Sequence, residues 1–506
     1  MATRERRATV LMTLLGGMWL GLFPLWQDGS YTRITRAKWT GMLLFTGVTA
    51  AVVLGLLLFR LIRKRGEKPR LHPTQGLALA YLGWLALSAL FGSMADSVNS
   101  QGQLTVWMGA IRYEGLATQC CYILLFLLMS LYPSRLKAVM AAASVGLLVY
   151  SGIVAMQYAG LNPFHLFPPT RDIRIVPEFQ GPIGNIDVVS GWLCLIVPAL
   201  MFAYVLSKER WLCLPGMTVG TLLLLLIRVQ SGLLTLAAVL ALLVLAMLMF
   251  PQIRPRGCYA LSCALTMITL WLLLGLPWHN GTEDIVFPHA MAAWKLLPLL
   301  LAVALIPLGK RFASHPGPAV PGRWMILLVC LGLAAAVVLL LFFPFPEGGG
   351  LWEIQEALHG RGVDSFGSER YGIWRLTLEM SRQHLLFGTG PDTFWYAMQD
   401  YMYETGQTTL QNFDNPHNLL LAVLANNGVP ALLLYLALMI AVAVTCLRAG
   451  RRDGWPLALL AGLAAHLLQG MFTFSICLVT PMFWVMLGMA VSQACQREDA
   501  NHDYQL

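Results

Sequence analysis

The chain has 506 residues, of which 57% are hydrophobic and 12% are charged, and its formal net charge is +9. A water-soluble protein of this length needs a much more polar surface, so the composition excludes a soluble globular protein and indicates a chain that crosses a membrane many times. Membrane topology accounts for the positive charge, as described below, so the charge does not predict a nucleic-acid partner.

Apolar stretches follow one another along the chain, and a helix needs about 20 apolar residues to cross the hydrocarbon layer. The sequence therefore predicts an all-α polytopic membrane protein with about 12 to 14 transmembrane helices and one large extracytoplasmic loop. The apolar segments are 8–26, 39–59, 75–93, 117–132, 138–158, 188–206, 211–227, 232–250, 257–277, 291–308, 324–343, 417–447, 455–473 and 475–493. They divide the chain into transmembrane helices with short loops (1–343), the large loop with amphipathic helices (344–416), C-terminal transmembrane helices (417–494) and a cytoplasmic tail (495–506).

The segment 417–447 is longer than one span requires. Asn426, Asn427, Gly428 and Pro430 interrupt its apolar pattern. Proline and glycine break helices, so we expect a short, half-buried helix before the true span.

Lysine and arginine concentrate in alternate loops. If the N-terminus is inside, most of the 34 Lys and Arg residues fall in inner loops, as the positive-inside rule requires. The sequence thus predicts that both termini are inside and that the 344–416 loop is outside. The ten cysteines lie mostly in apolar segments and form no C-x-x-C pair, so neither disulfides, nor a metal site, nor a cofactor is expected.

Positive residues on the outer side are exceptions to this rule, and most of them are arginines. The planar donor fork of arginine suits bidentate contact with phosphate, so the set indicates either an anionic ligand or contacts with lipid headgroups. Arg228 ends an apolar run almost without a loop, so it either faces the bundle interior or caps helix carbonyls. Arg112 precedes Glu114 by two residues, and a local ion pair is the simplest interpretation. Asn185 precedes a span, where it can cap the helix.

The large loop contains SERYGIWRLTLEMSRQHLLFGTGPDTF (368–394). Ser368 can cap a helix in which Tyr371, Trp374 and Leu378 recur at helical spacing, which predicts an amphipathic helix on the membrane surface. Arg375 lies on a neighbouring face of that helix. The GTGPD segment predicts a tight turn, with Asp392 or Thr393 available to cap the next helix.

His417 follows Pro416 at the start of an apolar helix. Histidine, with an ordinary pKa of about 6.5, can accept a proton near neutral pH, and a helix N-terminus favours its neutral form. His417 is therefore either a general base or an interfacial polar residue. His466 lies inside an apolar segment, where it either hydrogen-bonds within the bundle or lines a cavity.

Four segments, in order and spacing, resemble the O-antigen ligase and O-antigen polymerase superfamily of bacterial membrane glycosyltransferases. RYEGLATQCCYILLF (from Arg112) is similar to the R-x-E-G-L segment of the family. GPIGNIDVVSGWLCLIVPAL (from Gly181) is similar to its G-N-x-(D/N) loop. RYGIWRLTLEMSRQHLLFGTGPDTFWYAM (from Arg370) and NPHNLLLAVLANNGVPALLLYL (from Asn415) resemble its most specific regions. The resemblance covers residues 110–445.

Two positions depart from the family pattern. Members usually carry S-R-G where this chain has Gln230-Ser231-Gly232, and Arg228 is the nearest arginine that could serve the same pocket. The usual proline before the G-x-G turn is replaced by Leu385-Leu386-Phe387.

The resemblance implies transfer of a glycan from a polyprenyl (undecaprenyl) diphosphate donor to an acceptor hydroxyl on the outer face of a bacterial cytoplasmic membrane. It implies His417 as the general base, with Asn418 orienting it or the acceptor, and direct, inverting displacement without a metal. The residues that it implies in diphosphate or glycan binding are Arg112, Arg228, Arg370, Arg375, Glu114, Asn185 and Asp392. The acceptor is a hydroxyl of a lipid, a glycan or a protein.

Two alternatives remain open at this stage. A repeat-unit polymerase of the same superfamily would use the same donor chemistry with a second lipid-linked repeat as acceptor. A multi-pass transporter of an anionic or lipid-linked substrate is the alternative from another class. Transporters place charges near the bilayer midplane, often in two similar halves, whereas here the charges cluster at the outer rim and no internal repeat is apparent.

Overall fold

The computed structural model describes residues 2–62, 72–167, 179–207, 211–274, 293–407, 413–450 and 453–502. Across these ranges the chain is an all-α polytopic membrane protein, as predicted. Its α-helices are α1 (Ala2–Gly17), α2 (Ile34–Ile62), α3 (Pro73–Phe91), α4 (Thr105–Met108), α5 (Leu116–Ser130), α6 (Leu136–Tyr158), α7 (Ile186–Leu206), α8 (Leu214–Ile227), α9 (Gln230–Met249), α10 (Arg254–Leu274), α11 (Leu297–Ser314), α12 (Gly322–Phe342), α13 (Gly350–Leu358), α14 (Arg370–Ser381), α15 (Phe394–Thr405), α16 (Leu419–Gly450), α17 (Gly454–Gly470) and α18 (Thr480–His502). Two short strands, β1 (Phe179–Gln180) and β2 (Gly184–Asn185), pair antiparallel.

Ten helical segments of the described chain are long and apolar enough to cross a membrane. This number is smaller than predicted, although each predicted segment coincides with a helix. Four helices make the difference. Helices α5, α8 and α17 have only 15, 14 and 17 residues, fewer than a perpendicular span requires, and the sequence of α18 ends in the polar stretch QREDANH.

Helix α7 forms the centre of the bundle, with 94% of its apolar window buried by protein. It packs against α17, α8 and α9. Gly462 of α17 lies against the backbone carbonyl of Leu195 in α7, where no side chain would fit. This close approach joins the two helices whose ends carry polar side chains of the site described below.

Helices α11 and α12 lie at the periphery, with only 11% and 6% of their apolar windows buried. Leu331 and Leu333 of α12 are 56% and 63% exposed. Such surfaces are stable only in lipid, because an apolar helix satisfies its own backbone and exposes only apolar side chains. The periphery of the bundle is therefore the lipid-facing part of the molecule.

Helix α16 is broken at Gly428, whose φ of 80° and ψ of 177° are not helical. This confirms the break predicted from the Asn426–Pro430 segment. The turn that contains Gly388 and Gly390 docks on the break, with backbone hydrogen bonds from Thr389 N to Ala425 O (2.9 Å) and from Gly390 N to Asn426 O (2.7 Å). A side chain on Gly388 would collide with the backbone of Asn426 and Asn427, so these two glycine-containing segments fit only because they lack side chains there.

Helix α14 is present where the sequence predicts it, and one of its faces packs against the neighbouring helices. Ile373, Leu376 and Met380 are buried in a cluster shared with α15, and Trp374 donates a hydrogen bond to the Pro416 carbonyl (2.9 Å). The predicted serine cap is also wrong, because Glu369 occupies the N-cap position and makes no side-chain hydrogen bond. Packing against the loop's own helices outweighs the amphipathic pattern.

Candidate functional site

A polar cavity opens where the broken α16 meets the 109–115 turn and the segment that joins α17 to α18. Elements far apart in the chain contribute to it, so no single motif could have outlined it. Its lining includes Tyr81, Arg112, Glu114, Gln119, Pro391, Asp392, Asn415, Leu419, Asn426, Asn427, Tyr435, His466, Gly470, Thr473, Phe474, Ser475, Thr480, Phe483 and Trp484. Two groups of side chains in and around this cavity are described next, followed by the remaining ionisable residues.

The first group, the rim cluster, consists of Arg112, Asp414, Phe474 and His417. Arg112 forms a bidentate ion pair with Asp414, with Nε–Oδ2 and Nη2–Oδ1 distances of 2.7 Å. Its guanidinium lies 3.6 Å from the ring centroid of Phe474, close enough for a cation–π contact. The His417 ring meets the same phenylalanine edge to face, with centroids 5.5 Å apart. The Arg112 guanidinium and the His417 imidazole thus pack against the same ring, that of Phe474.

His417 is held in an unusual backbone conformation, with φ of 47°. Its backbone N–H donates to Asn415 Oδ1 at 2.8 Å, which closes the turn before α16. In the described ranges no side chain or backbone group hydrogen-bonds either ring nitrogen. Burial, followed by the positive charges of Arg112 and Arg370, lowers the pKa of His417 to about 4. Its imidazole is therefore neutral at physiological pH and has a nitrogen available to accept a proton.

Asn418 is the N-cap of α16. Its Oδ1 accepts from the backbone N–H groups of Leu420 and Leu421 at 3.0 Å. Its Nδ2 donates to the Met471 carbonyl at 3.0 Å. Both halves of the amide are thus engaged, and through them Asn418 joins the start of α16 to the segment after α17.

The second group, the inner cluster, consists of Glu114, Gln119, Tyr122 and Ser475. The Glu114 carboxyl receives hydrogen bonds from Tyr122 Oη (2.6 Å), Gln119 Nε2 (3.2 Å) and Ser475 Oγ (3.4 Å). Burial raises the pKa of Glu114 to about 8, so the group is mostly uncharged at neutral pH. The simple expectation of an Arg112–Glu114 ion pair is wrong, because the arginine pairs with Asp414 instead.

Asp392 organises the 109–115 turn. Its Oδ2 accepts from the backbone N–H groups of Ala110 (2.8 Å) and Glu114 (3.1 Å). Burial raises its pKa to about 6, although these two hydrogen bonds act in the opposite direction. The cap that the sequence assigns to Asp392 or Thr393 is provided by Asn426, whose Oδ1 accepts from the backbone at the start of α15.

Arg370 and Arg375 both lie on α14 but differ in how they are held. Arg375 pairs with Asp364 (2.9 Å) and Glu379 (3.1 Å). Arg370 donates only to the Gly367 carbonyl (3.3 Å), and its Nε is buried without a hydrogen-bond partner in the described part of the chain. The charge of Arg370 lowers the pKa of His417 and also acts on the Asp187 carboxylate. Arg370 is therefore held by fewer hydrogen bonds than Arg375, whose ion pairs hold the loop together.

Arg228 and Asn185 lie at helix ends on the same side of the bundle. Arg228 closes the turn between α8 and α9 in a left-handed conformation (φ 59°) and is exposed. Asn185 caps α7, accepting from the backbone N–H of Asp187 at 2.9 Å, which is the structural role that the sequence allowed. Gln469 of α17 bridges these ends, donating to the Asp187 carbonyl (3.1 Å) and Ser231 Oγ (3.5 Å).

His466 lines the cavity from α17. Its Nδ1 lies 2.8 Å from the carbonyl of Gly191 in α7, so this nitrogen carries the proton and Nε2 is left as an acceptor. The hydrogen bond within the bundle and the position on a cavity, which the sequence posed as alternatives, are both found.

Several residues of the site escaped sequence reasoning. Asp414 precedes His417 by three residues, so proximity to the histidine was the one signal that could have found it. Phe474 and Ser475 lie in an uncharged, apolar-looking segment, and nothing in the sequence singles them out. Asn426 was interpreted only as a helix breaker, since its capping of α15 depends on a contact across 32 residues.

Part of the chain matches a known protein family. No curated protein matches the chain. Residues 188–436 match the family model described as O-Antigen ligase. This segment contains most of α7 together with Arg228, Arg370, Arg375 and His417, and it ends just beyond the break in α16. Over this segment, the chain matches the O-antigen ligase family.

Proposed function

We propose that the protein transfers a glycan from a polyprenyl (undecaprenyl) diphosphate donor to an acceptor hydroxyl, in the manner of an O-antigen ligase. The reaction takes place on the outer face of the cytoplasmic membrane of a bacterium, with both termini inside. The acceptor is a hydroxyl of a lipid, a glycan or a protein. The family match supports membrane glycan transfer in general, and the site supports this particular chemistry.

The observation that carries the proposal is the surrounding of His417. The imidazole is kept neutral by burial and by two guanidinium groups, Arg112 and Arg370. A neutral base beside two cations suits a reaction in which a hydroxyl loses its proton while negative charge develops on a diphosphate leaving group. The same site thus provides a base for the acceptor hydroxyl and positive charge for the leaving group.

In the proposed step, the acceptor oxygen attacks the anomeric carbon of the donor sugar. The bond between that carbon and the diphosphate oxygen breaks, and the electron pair leaves with the diphosphate. The hydroxyl proton passes to the free ring nitrogen of His417. Attack from the face opposite the leaving group inverts the anomeric centre, and no covalent enzyme intermediate is involved.

Some of the arginines contact the diphosphate in this proposal, and others stabilise the loops around it. Arg370, which has unpaired donors, binds the diphosphate directly, and Arg112 faces it from the opposite element while Asp414 fixes its orientation. Arg228 adds a third positive charge at the end of α8, in place of the arginine that the family's S-R-G segment usually supplies. Arg375 acts through the loop that it braces rather than by touching the substrate.

The remaining predicted residues act on the shape and charge of the site. Asn418, Asn185 and Asp392 cap or close the backbone elements that carry His417, the start of α7 and the 109–115 turn. Glu114, uncharged at neutral pH, presents hydrogen-bonding groups to the cavity without placing a negative charge near the diphosphate.

The test is a reconstituted reaction with purified protein and a lipid-diphosphate glycan. Release of polyprenyl diphosphate, measured by mass spectrometry, is expected with the wild type. Replacing His417 with alanine should reduce the rate by about 10²- to 10⁴-fold, the usual contribution of a general base. His359→Ala is the matched control, because His359 lies in the same polar loop but is exposed and bonds only to its own helix.

If a correctly inserted His417→Ala protein releases polyprenyl diphosphate as fast as the wild type, His417 is not the general base. Transport of the intact lipid-linked glycan without release of diphosphate would instead establish the transporter alternative. Supplying a second lipid-linked repeat or a core glycan as acceptor separates polymerase from ligase activity. Chelators such as EDTA should leave the rate unchanged if the arginines alone neutralise the leaving group.

A further inference from the structure

Helix α13 (Gly350–Leu358) lies in a polar loop but exposes apolar side chains. Its only exposed side chains are apolar: Leu351, Ile354 and Leu358 are 52%, 49% and 59% exposed. Their spacing of three and four residues places them on one face. A helix facing water would expose its polar side chains instead.

The polar residues of α13 are half-buried, and each forms a hydrogen bond or an ion pair with a neighbouring part of the chain. Glu353 accepts a hydrogen bond from the backbone N–H of Gly367 (2.8 Å). Gln355 donates to the Phe343 carbonyl (3.0 Å), and Glu356 pairs with Arg361 (2.6 Å). The exposed apolar face is therefore the side turned away from the rest of the protein.

The position of α13 indicates what covers this face. It follows the lipid-exposed span α12 after seven residues and contacts that helix. Phe342 and Phe343, at the exit of α12, are 76% and 50% exposed. The apolar face of α13 is thus continuous with a surface that already faces lipid, at the depth where the chain leaves the membrane.

We propose that α13 lies in the membrane interface, with Leu351, Ile354 and Leu358 inserted between lipid headgroups and acyl chains. Short helices with one apolar face bind membranes in this way. The sequence suggests such a helix in the loop but at α14; the structure moves this role to α13.

The interfacial helix is also tied to the start of α14. Trp352 packs against Phe366, with ring centroids 5.6 Å apart, and the Phe366 carbonyl accepts from the backbone N–H of Tyr371 (3.2 Å). Arg370 immediately precedes that tyrosine. Through these contacts, the depth of α13 in the membrane sets the distance of Arg370 from the lipid surface. The effect of this distance on catalysis rests on the proposed function.

The first experiment measures depth and does not depend on activity. Nitroxide labels are placed one at a time at cysteines replacing Leu351, Ile354 and Leu358, in a background in which the exposed Cys330 is replaced by serine. The full chain is studied in nanodiscs of phosphatidylethanolamine and phosphatidylglycerol. A label at Leu339 of α12 serves as the lipid reference, and one at the exposed Glu347 serves as the water reference.

We expect the three α13 labels to collide with oxygen more than with a water-soluble nickel chelate, as at Leu339. A preference for nickel, as at Glu347, would overturn the proposal. Protection from both reagents would also overturn it, by showing that protein, such as a second copy of the chain, covers the face.

The second experiment tests the link to Arg370. Replacing Leu351, Ile354 and Leu358 together with glutamine should lower glycan transfer in bilayers by about tenfold, as expected for lost apolar burial, and much less in detergent micelles. Glu347→Gln is the control. Equal losses in both media would show that the face matters for folding rather than for depth. If the wild type transfers no glycan, the proposed function fails while the depth measurement still decides the position of α13.

Discussion

The rim cluster and the inner cluster adjoin one cavity but treat charge in opposite ways. At the rim, Arg112 and Asp414 keep their charges because they satisfy one another, and the cations around His417 keep its ring neutral. In the inner cluster, Glu114 is uncharged because burial disfavours its ionised form. Pairing thus preserves charge at the mouth of the site, whereas burial without a neighbouring cation leaves the inner Glu114 carboxyl uncharged.

The largest effect on the transfer rate is expected from removing Arg112 from the rim cluster. Arg112→Ala should lower the transfer rate by about a hundredfold or more, since it removes a cation from the leaving group and leaves Asp414 without its partner. The measurement is kcat and KM for the lipid-linked donor. The double variant Arg112→Ala/Asp414→Ala separates the two causes: if activity returned, Arg112 would serve only to neutralise Asp414.

The next effect is the pH dependence at the rim. Because the pKa of His417 is lowered to about 4, the base is unprotonated above that pH and activity should fall only as the pH drops through about 4. An ordinary histidine would lose activity near 6.5. Asp414→Asn should move this acid limb to still lower pH, because the charge of Asp414 raises the pKa of His417. An acid limb near 6.5 in the wild type would contradict the assigned surroundings of the imidazole.

A smaller effect is expected from the inner cluster, and it should depend on pH. With a pKa raised from 4.5 to about 8, folded Glu114 holds a proton that the unfolded chain releases between these values. Its contribution to stability therefore falls as pH rises from 4.5 to about 8, and above 8 its charge opposes diphosphate binding. Glu114→Gln should keep activity within about twofold at neutral pH and lose the alkaline decline in both activity and melting temperature. A large loss at neutral pH would show that the carboxyl takes part in the chemistry.

The smallest effect is expected at Arg228, which belongs to neither cluster. Arg228→Glu should raise the KM for the donor a few-fold through repulsion at a distance, with little change in kcat. Arg382→Glu is the control, since Arg382 is an exposed arginine of the 344–416 loop and belongs to neither cluster. An unaltered KM for Arg228→Glu would reduce Arg228 to a residue that closes the α8–α9 turn.

The sequence predicts this fold well where the signal is local. Apolar length locates the helices, and the Asn426–Pro430 segment reveals the break in α16. The site is harder to predict than the fold, because its contacts join residues far apart in the chain. Arg112 and Asp414 are separated by 302 residues. The sequence alone therefore favours the neighbouring Glu114 as the partner of Arg112. Arg370 and Arg375 are indistinguishable in sequence, since only the position of Asp364 decides which guanidinium remains free.

The docking of the 385–390 turn on the break of α16 has a mechanical consequence. Backbone hydrogen bonds join Leu385, Thr389 and Gly390 to Val429, Ala425 and Asn426, and Asn426 also holds the start of α15. Residues from 385 to the start of α15 are therefore coupled to the membrane helix and move with it as one body.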